Sequence, residues 1–151
     1  MRNPLRYPGA KSKLFDYVKA LIENEGLRGC TFYEPFAGSA TLSWQLLEDG
    51  IIKNVVINEK DSLLYHFWNS VFNYTEELVD LIRRADINIE TWNECAKYRK
   101  LTYLFSKTSY QIGFAALFLN RTNFSGILKA NPIGGKKQKS DYKLDCRFNK
   151  Q

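Results

Sequence analysis

The chain has 151 residues, of which 44% are hydrophobic, so it is long enough for one domain with a substantial core and too short for two comfortable ones. Its three cysteines lie far apart without a CxxC pair, and it has one histidine, which excludes a disulfide framework and a zinc site. The cysteines indicate a reducing compartment, and the longest nearly apolar run, IGFAALFL, is far too short to span a membrane, so we expect a soluble, cytoplasmic protein.

The net charge of +6 is concentrated at the two ends of the chain. Residues 1–13 carry four basic residues and no acid, and residues 129–151 carry seven basic residues and two acids, which leaves the middle of the chain net acidic. This segregation favours a polyanionic partner that the two ends contact, or basic ends that are simply solvated and flexible.

The first part of the chain predicts a helix, a strand, a helix and a strand. Apolar residues recur at helical spacing through LFDYVKALIENEG, and Gly26 and Gly29 end that helix. CTFYEPF is a short run of aromatic and branched residues, typical of a buried strand. Gly38 and Ser39 then form a turn, ATLSWQLLEDG predicts a helix that Gly50 ends, and IIKNVVIN predicts a second strand. This order indicates a βαβ unit with parallel strands and a right-handed crossover.

From residue 61 to residue 119 the pattern is mainly helical, in DSLLYHFWNSVFN, TEELVDLIRRAD, ETWNECAKYRKLTYLF and SYQIGFAALFL. The segment that follows, with Pro132, Gly134, Gly135 and many lysines, is expected to be a loop or hairpin rather than core. A doubly wound sheet needs more than two strands. We therefore expect the front of an α/β domain with an incomplete parallel sheet, followed by a helical insertion.

Gly38 and Glu59 stand where such a sheet would bind a nucleoside cofactor. A glycine after the first strand allows close approach of the backbone, and an acid after the second strand, about 20 residues later, accepts hydrogen bonds from ribose hydroxyls. The alternatives are a structural turn for Gly38 and a surface acid for Glu59. FAGSAT has one glycine where the dinucleotide loop GxGxxG has three, so we expect a cofactor with adenosine but no pyrophosphate, such as S-adenosylmethionine.

Four segments in this order resemble an adenine-specific DNA methyltransferase of the Dam type: RYPGAKSKL, YEPFAGSA, INEKDSLLYHFWN and FLNRTNFSGILKA, with NPIGG and DCRFNK in support. The resemblance covers nearly the whole chain and is to the amino-terminal part of such an enzyme. It implies a Rossmann-like S-adenosylmethionine-dependent methyltransferase fold with a helical DNA-recognition insertion. We predict residues 1–61 as the front of the methyltransferase domain, residues 62–135 as the target-recognition insertion, and residues 136–151 as a basic segment leading back to the catalytic part.

By this resemblance seven residues would bind S-adenosylmethionine: Tyr7, Lys11, Pro35, Phe36, Gly38, Ser39 and Glu59. Tyr7 and Lys11 would approach its methionine end, where Lys11 could bind the carboxylate; the alternative is a basic turn before a helix. The family usually has a second glycine where this chain has Ala40, and we expect alanine to fit an ordinary helical first turn. Asp61 could assist Glu59 or cap the next helix.

The same resemblance implies double-stranded DNA as the partner and assigns four residues to it: Asn120, Arg121, Phe124 and Lys129. An enzyme that extrudes a base needs cations on phosphates, an apolar wedge in the base stack and contacts to base edges. We predict that Asn120 and Arg121 shape the loop or reach the DNA backbone, that Phe124 is the wedge, and that Lys129 contacts a base edge or a phosphate. Without the resemblance, NRTN is equally a helix end with a polar cap.

No catalytic residue is predicted. The resembled family holds the adenine amine with an Asp/Asn/Ser-Pro-Pro-Tyr/Phe motif, and none of the four prolines of this chain is followed by another proline. We therefore expect a site-specific DNA adenine methyltransferase truncated before its catalytic motif and inactive by itself. The alternatives are a non-catalytic DNA-binding module derived from such an enzyme, and a nucleotide-dependent oxidoreductase, for which the glycine loop is missing.

Overall fold

The computed structural model of the chain describes residues 3–6 and 9–150. The chain divides into two compact units, Met1–Lys60 and Asp61–Gln151. The first unit combines helices with strands and the second consists mainly of helices, as the sequence pattern predicts. Within the described residues, every helix is too short or too polar to cross a lipid bilayer. The functional roles predicted for residues 1–61, 62–135 and 136–151 stay predictions.

The first unit contains the predicted βαβ arrangement. A 3-10 helix, Lys11–Leu14, continues as α1, Phe15–Asn24, and is followed by β1, Thr31–Glu34, α2, Thr41–Glu48, and β2, Asn54–Ile57. The two strands pair in parallel, with Thr31 opposite Asn54 and Glu34 opposite Ile57, which confirms the prediction of parallel strands. The described sheet has these two strands, and the wider Rossmann-like sheet stays a prediction.

One face of the small sheet packs against a core formed with α1 and α2. The buried members of this core share aliphatic side chains and are Ile22, Leu42, Leu46, Ile51 and Ile52. Phe32 and Val55 pack against it, whereas Tyr33 and Val56, which point to the opposite face, are exposed. The expectation of a buried first strand is therefore wrong for the face that carries Tyr33, because the described sheet is covered on one side only.

The described part of the second unit contains five α-helices: α3, Ser62–Asn73, α4, Thr75–Arg84, α5, Ile89–Lys97, α6, Leu101–Leu104, and α7, Ser109–Thr122. The helical pattern predicted from residue 61 is thus confirmed. ETWNECAKYRKLTYLF is broken into α5 and α6, because the amides of Tyr98 and Arg99 bond three residues back and tighten the chain into a turn.

Helix α7 is the centre of the second unit and contacts α3, α4 and α5. It is buried over most of its length, including Ile112, Ala115 and Phe118. Gly113 lets α3 and α7 approach closely, because a Cβ at this position would lie 2.8 Å from the carbonyl oxygen of His66. A helix that is apolar on nearly all sides is typical of a position in the middle of a domain.

The basic carboxyl-terminal segment is only partly the loop that the sequence predicts. It runs through turns to a 3-10 helix, Leu144–Arg147. Leu144 and Phe148 are buried, and the ring of Phe148 lies 5.3 Å from that of Phe118. The expectation that this segment stays out of the core is wrong, since its two apolar side chains, four residues apart, pack beside α7.

Candidate functional site

The predicted glycine and acid are neighbours at the carboxyl ends of the two strands. After β1 the chain turns through Gly38, whose φ is 52°, and α2 begins at Thr41. The amide of Gly38 donates a hydrogen bond to Oε2 of Glu59 at 2.7 Å. Backbone bonds from Ala37 to Asn58 and from Asn58 to Glu34, both 3.0 Å, hold the two segments side by side. The carboxylate therefore lies where ligands of parallel sheets bind.

Ala40 does not take the ordinary helical conformation that we expected. Its φ of 47° and ψ of 28° place it in the left-handed region, directly before the first residue of α2. This region favours glycine because a Cβ is crowded there. The prediction was wrong because the chain leaves β1 through a left-handed turn, which also explains why glycine suits this position.

Lys11 lies at the same end of β1 and is held by two partners. Its ammonium donates to Oε1 of Glu34 at 2.9 Å and to the carbonyl oxygen of Phe36. An ammonium has three donor hydrogens, and these described partners use two of them. Lys11 is therefore a positioned cation, and its predicted contact with a carboxylate stays a prediction.

Glu34 is a residue of this region that the sequence interpretation missed. Its side chain is inside the protein, with 4% of the residue exposed, and it also accepts a hydrogen bond from the hydroxyl of Ser43 in α2. Buried carboxylates are rare unless they are paired, so Glu34 orders Lys11 and α2 around the end of β1. The available signal was an acid within the strand sequence TFYE, where acids are uncommon.

The other predicted cofactor residues lie in different environments. Phe36 is exposed, and the carbonyl of Pro35 accepts a hydrogen bond from the side chain of Asn58 at 3.0 Å. Ser39 is buried, with its hydroxyl 2.8 Å from that of Thr41. Tyr7 lies outside the described residues. The structure thus brings Lys11, Phe36, Gly38 and Glu59 to one edge of the sheet and turns the side chain of Ser39 toward the protein.

Asp61 caps the helix that follows Glu59. Its carboxylate accepts hydrogen bonds from the amides of Leu63 at 2.9 Å and Leu64 at 3.3 Å, at the start of α3. Of the two roles that the sequence left open, the structure shows the cap.

A loop after α7 forms the second region of interest, and two buried asparagines shape it. Asn120 donates to the carbonyl of Gly126 at 2.8 Å. Asn123 accepts from the indole of Trp92 at 2.7 Å and donates to the carbonyls of Ile127 at 2.9 Å and Leu128 at 3.0 Å. Asn120 therefore lies where it can shape the loop. Asn123 and Trp92, which the sequence interpretation missed, also hold the loop in shape.

The same loop carries the predicted aromatic and cationic contacts on its outside. Phe124 has 68% of its surface exposed, Ile127 and Lys129 are also exposed, and Arg121 is half-buried. Ser125 has a left-handed φ of 54°, which lets the chain turn sharply beneath these side chains. The loop is thus ordered from within and presents apolar and positive groups to the outside.

Two cationic side chains, those of Arg99 and Lys136, lie over the ring of Trp92 in α5, next to the loop. The guanidinium of Arg99 lies 5.0 Å from the centre of the indole ring and donates to the carbonyl of Ala130 at 2.8 Å. Burial lowers the pKa of Arg99 from its ordinary value. Lys136 lies over the same ring at 5.7 Å. The spacing of these residues in the sequence did not predict this arrangement, because it depends on the packing of α5 beside α7.

The family comparison covers nearly the whole chain. The model of the D12 class N6 adenine-specific DNA methyltransferase family matches residues 7–150. This range includes every residue that the sequence assigned to a cofactor or to DNA, and it confirms the resemblance drawn from the four segments. A search of curated proteins found no match.

Proposed function

The chain belongs to the D12 class of N6 adenine-specific DNA methyltransferases, and from this membership we propose that it binds S-adenosylmethionine and double-stranded DNA for methylation of the exocyclic amine of adenine. The observation that carries this proposal is the pairing of Glu59 with Gly38 at the ends of two parallel strands. A carboxylate at this place is the acceptor that ribose hydroxyls require.

The donor set of the first unit fits a cofactor with an adenosine and an amino acid end. Glu59 would accept hydrogen bonds from the ribose hydroxyls, and Lys11 would use a donor hydrogen for the cofactor carboxylate while Glu34 keeps its ammonium in place. The exposed ring of Phe36 offers an apolar face beside them. When bound, S-adenosylmethionine supplies the activated methyl group.

The loop after α7 would contact the DNA. Lys129 and Arg121 would bind phosphates or a base edge, and Phe124 would enter the base stack. What supports this proposal is the loop's internal order, because Asn120 and Asn123 fix its backbone and leave Phe124 and Lys129 exposed. A preordered loop loses little conformational entropy when it binds.

We propose that the chain by itself does not transfer methyl groups. Adenine methylation needs acceptors that hold the amine and align it with the methyl donor, and the Pro-Pro motif that serves this purpose in the family is absent from these 151 residues. The same absence favours a second candidate function, a DNA-binding module that has kept the basic surface but not the chemistry.

Binding and transfer assays on the chain separate these functions. We expect it to bind S-adenosylmethionine and duplex DNA but to leave adenine-containing DNA unlabelled after incubation with cofactor carrying a labelled methyl group. Labelled adenine would contradict the inactive state. DNA binding without any cofactor binding would support the DNA-binding module instead.

A further inference from the structure

The turn that carries the amide of Gly38 has a conformation that the surrounding chain must hold. Gly38 has a φ of 52° and Ala40 a φ of 47°, so the backbone enters the left-handed region at both residues. An alanine there is strained, and such a residue persists only where its surroundings fix it. Helix α2, which begins at Thr41, has no side-chain hydrogen bond at its N-cap residue, Ala40. The restraint must therefore come from another part of the chain.

Asn3 supplies this restraint. Its side-chain amide donates hydrogen bonds to the carbonyl oxygen of Ser39 at 2.5 Å and to the hydroxyl of Thr41 at 3.1 Å. Ser39 is buried, and its carbonyl precedes that of Ala40, which accepts a hydrogen bond from the amide of Trp44 in α2. A buried carbonyl is costly without a donor, and Asn3 provides one from outside the helix. The two donations of Asn3 thus hold the residues on both sides of Ala40.

Asn3 is itself anchored to the protein. Its side-chain oxygen accepts a hydrogen bond from the amide of Leu5 at 2.8 Å, and Leu5 is buried. The nitrogen of the Asn3 side chain therefore faces two acceptors and its oxygen faces a donor, which defines the orientation of the amide group. Asn3 precedes residues 7–150, which the family model matches, so that match assigns it no role.

The turn that Asn3 restrains orients the carboxylate that we propose for the ribose. The amide of Gly38 donates to Glu59 at 2.7 Å. The direction of this N–H depends on the backbone dihedral angles beside it, so a rearranged turn would point it away from the carboxylate. Ser39, whose carbonyl Asn3 holds, follows Gly38 directly. Asn3 is therefore linked to Glu59 through the backbone of the turn.

We propose that Asn3 is a positioning residue of the cofactor site, which keeps the turn from Gly38 to Ala40 in the left-handed form that orients Glu59. The inference rests on the proposed binding of S-adenosylmethionine and adds to it a residue that sets how often the site is competent. When Asn3 is replaced, the turn spends less time in this form, and the apparent affinity falls in proportion to the competent fraction.

Calorimetric titration of S-adenosylmethionine into the parent chain and three variants tests the proposal. Asn3→Asp keeps the acceptor for the amide of Leu5 but loses both donations, and Asn3→Ala loses them without adding a charge. We expect both variants to bind roughly 5- to 30-fold more weakly than the parent, as the loss of one or two hydrogen bonds predicts. Asn24→Asp is the matched control, because Asn24 is exposed at the end of α1, and it should bind as the parent does.

A second ligand shows which end of the site Asn3 affects. Methylthioadenosine has the ribose of the cofactor but no amino acid end. Because the turn acts on the ribose end, the Asn3 variants should lose affinity for methylthioadenosine by the same factor as for S-adenosylmethionine. Lys11→Gln, which keeps a donor beside Glu34 but loses the charge, should weaken the binding of S-adenosylmethionine alone. Asn3 variants that weaken only S-adenosylmethionine would overturn the inference.

A substitution within the turn should rescue the loss. Glycine adopts the left-handed region without strain, so a turn with Ala40→Gly needs less restraint from Asn3. The double variant Asn3→Ala with Ala40→Gly should therefore bind S-adenosylmethionine at least about 3-fold more tightly than Asn3→Ala alone. An affinity as low as that of Asn3→Ala would overturn the role of Asn3 in holding the strained turn.

Unfolding measurements separate positioning from stability alone. Circular dichroism at the temperature of the titrations identifies the variants that are folded, and Asn3→Asp carries the test if Asn3→Ala is not. A purely structural Asn3 would leave the affinity of the folded protein unchanged, and equal binding by the parent and the Asn3 variants would overturn this inference alone. Absence of cofactor binding by the parent would overturn the proposed cofactor binding as well.

Discussion

The carboxylate of Glu59 accepts a hydrogen bond from the backbone amide of Gly38 at 2.7 Å. This contact joins the end of β2 to the turn after β1, 21 residues earlier in the chain. It orients one carboxylate oxygen by an amide whose own conformation, at a φ of 52°, suits a glycine. The turn and the acid therefore form one structural element.

The ion pair of Lys11 with Glu34 should contribute measurably to stability. We predict that Glu34→Gln lowers the free energy of unfolding by about 1.5–3 kcal/mol, because the hydrogen bonds donated by Lys11 and Ser43 lose their charged acceptor. Chemical denaturation measures this change. Asp49→Asn is the control, since the carboxylate of Asp49, which pairs with Lys19, is far more exposed than that of Glu34 and should contribute less than about 1 kcal/mol. Equal effects of the two substitutions would contradict the prediction.

The left-handed conformation of Ala40 predicts an unusual order of tolerated residues. Ala40→Gly should change the free energy of unfolding by less than about 1 kcal/mol, because relief of the left-handed strain offsets the lost methyl burial and the entropy of glycine. Ala40→Val should cost more than about 2 kcal/mol, since a branched side chain suits neither this φ nor the buried site. Thermal and denaturant unfolding of the three proteins measures the order, and a valine variant as stable as the parent would refute it.

Two substitutions in the loop after α7 should distinguish a residue that orders the loop from a residue that contacts DNA. Asn123→Ala leaves the Trp92 indole and two loop carbonyls without their partner, so we predict a loss of roughly 2–4 kcal/mol in stability together with weaker DNA binding. Lys129→Ala should change the free energy of unfolding by less than about 0.5 kcal/mol. It should reduce the slope of the logarithm of the DNA-binding constant against the logarithm of the salt concentration by about 1. Denaturation and salt-titrated anisotropy measure the two effects. Unchanged DNA affinity in both variants would remove the loop from the proposed interface.

His66 gives the second unit a pH dependence of known sign. Burial lowers its pKa below the usual 6.5, and its Nδ1 lies 2.8 Å from the hydroxyl of Ser109, which also accepts from Asn69 at 2.7 Å. The tautomer of the neutral imidazole sets which of the two groups donates this hydrogen bond. The unfolded chain then binds a proton first as the pH falls. The contribution of His66 to stability is fully present above about pH 6.5 and is lost as the pH falls through the lowered pKa of its imidazole.

Unfolding of the parent and of His66→Gln at several pH values checks this sign. The free energy of unfolding of the parent should decrease from about pH 7.5 to about pH 5.5, before the ordinary carboxylates titrate. The variant should show a smaller decrease over the same interval. An equal slope in both proteins would show that His66 does not carry the dependence.

The parts of the fold that the sequence predicted correctly are those set by local pattern. Apolar periodicity and glycine breaks gave the βαβ order and the helices of the second unit, because both signals act over a few residues. The parallel pairing followed from that order. Gly38 and Glu59 could be placed together because the carboxyl ends of neighbouring parallel strands share one edge.

The features that escaped prediction depend on contacts between distant segments. Lys11 meets Glu34 across 23 residues, and Trp92 meets Asn123 across 31 residues, so no local spacing reveals either pair. The burial of Phe148 depends on the ring of Phe118 in α7. Ala40 was mispredicted for a related reason, since its left-handed φ is imposed by the turn that leads from β1 into α2.

The most direct test of the account is calorimetric titration of S-adenosylmethionine into the parent chain, Glu59→Ala and the control Glu25→Ala, whose acid lies exposed at the end of α1. The parent and the control should bind equally well. Glu59→Ala should bind about 100-fold more weakly or not at all, because two hydrogen bonds to a charged group contribute roughly 1.5–3 kcal/mol each. Equal binding by Glu59→Ala and the parent, or no binding by the parent, would contradict the assignment of this site.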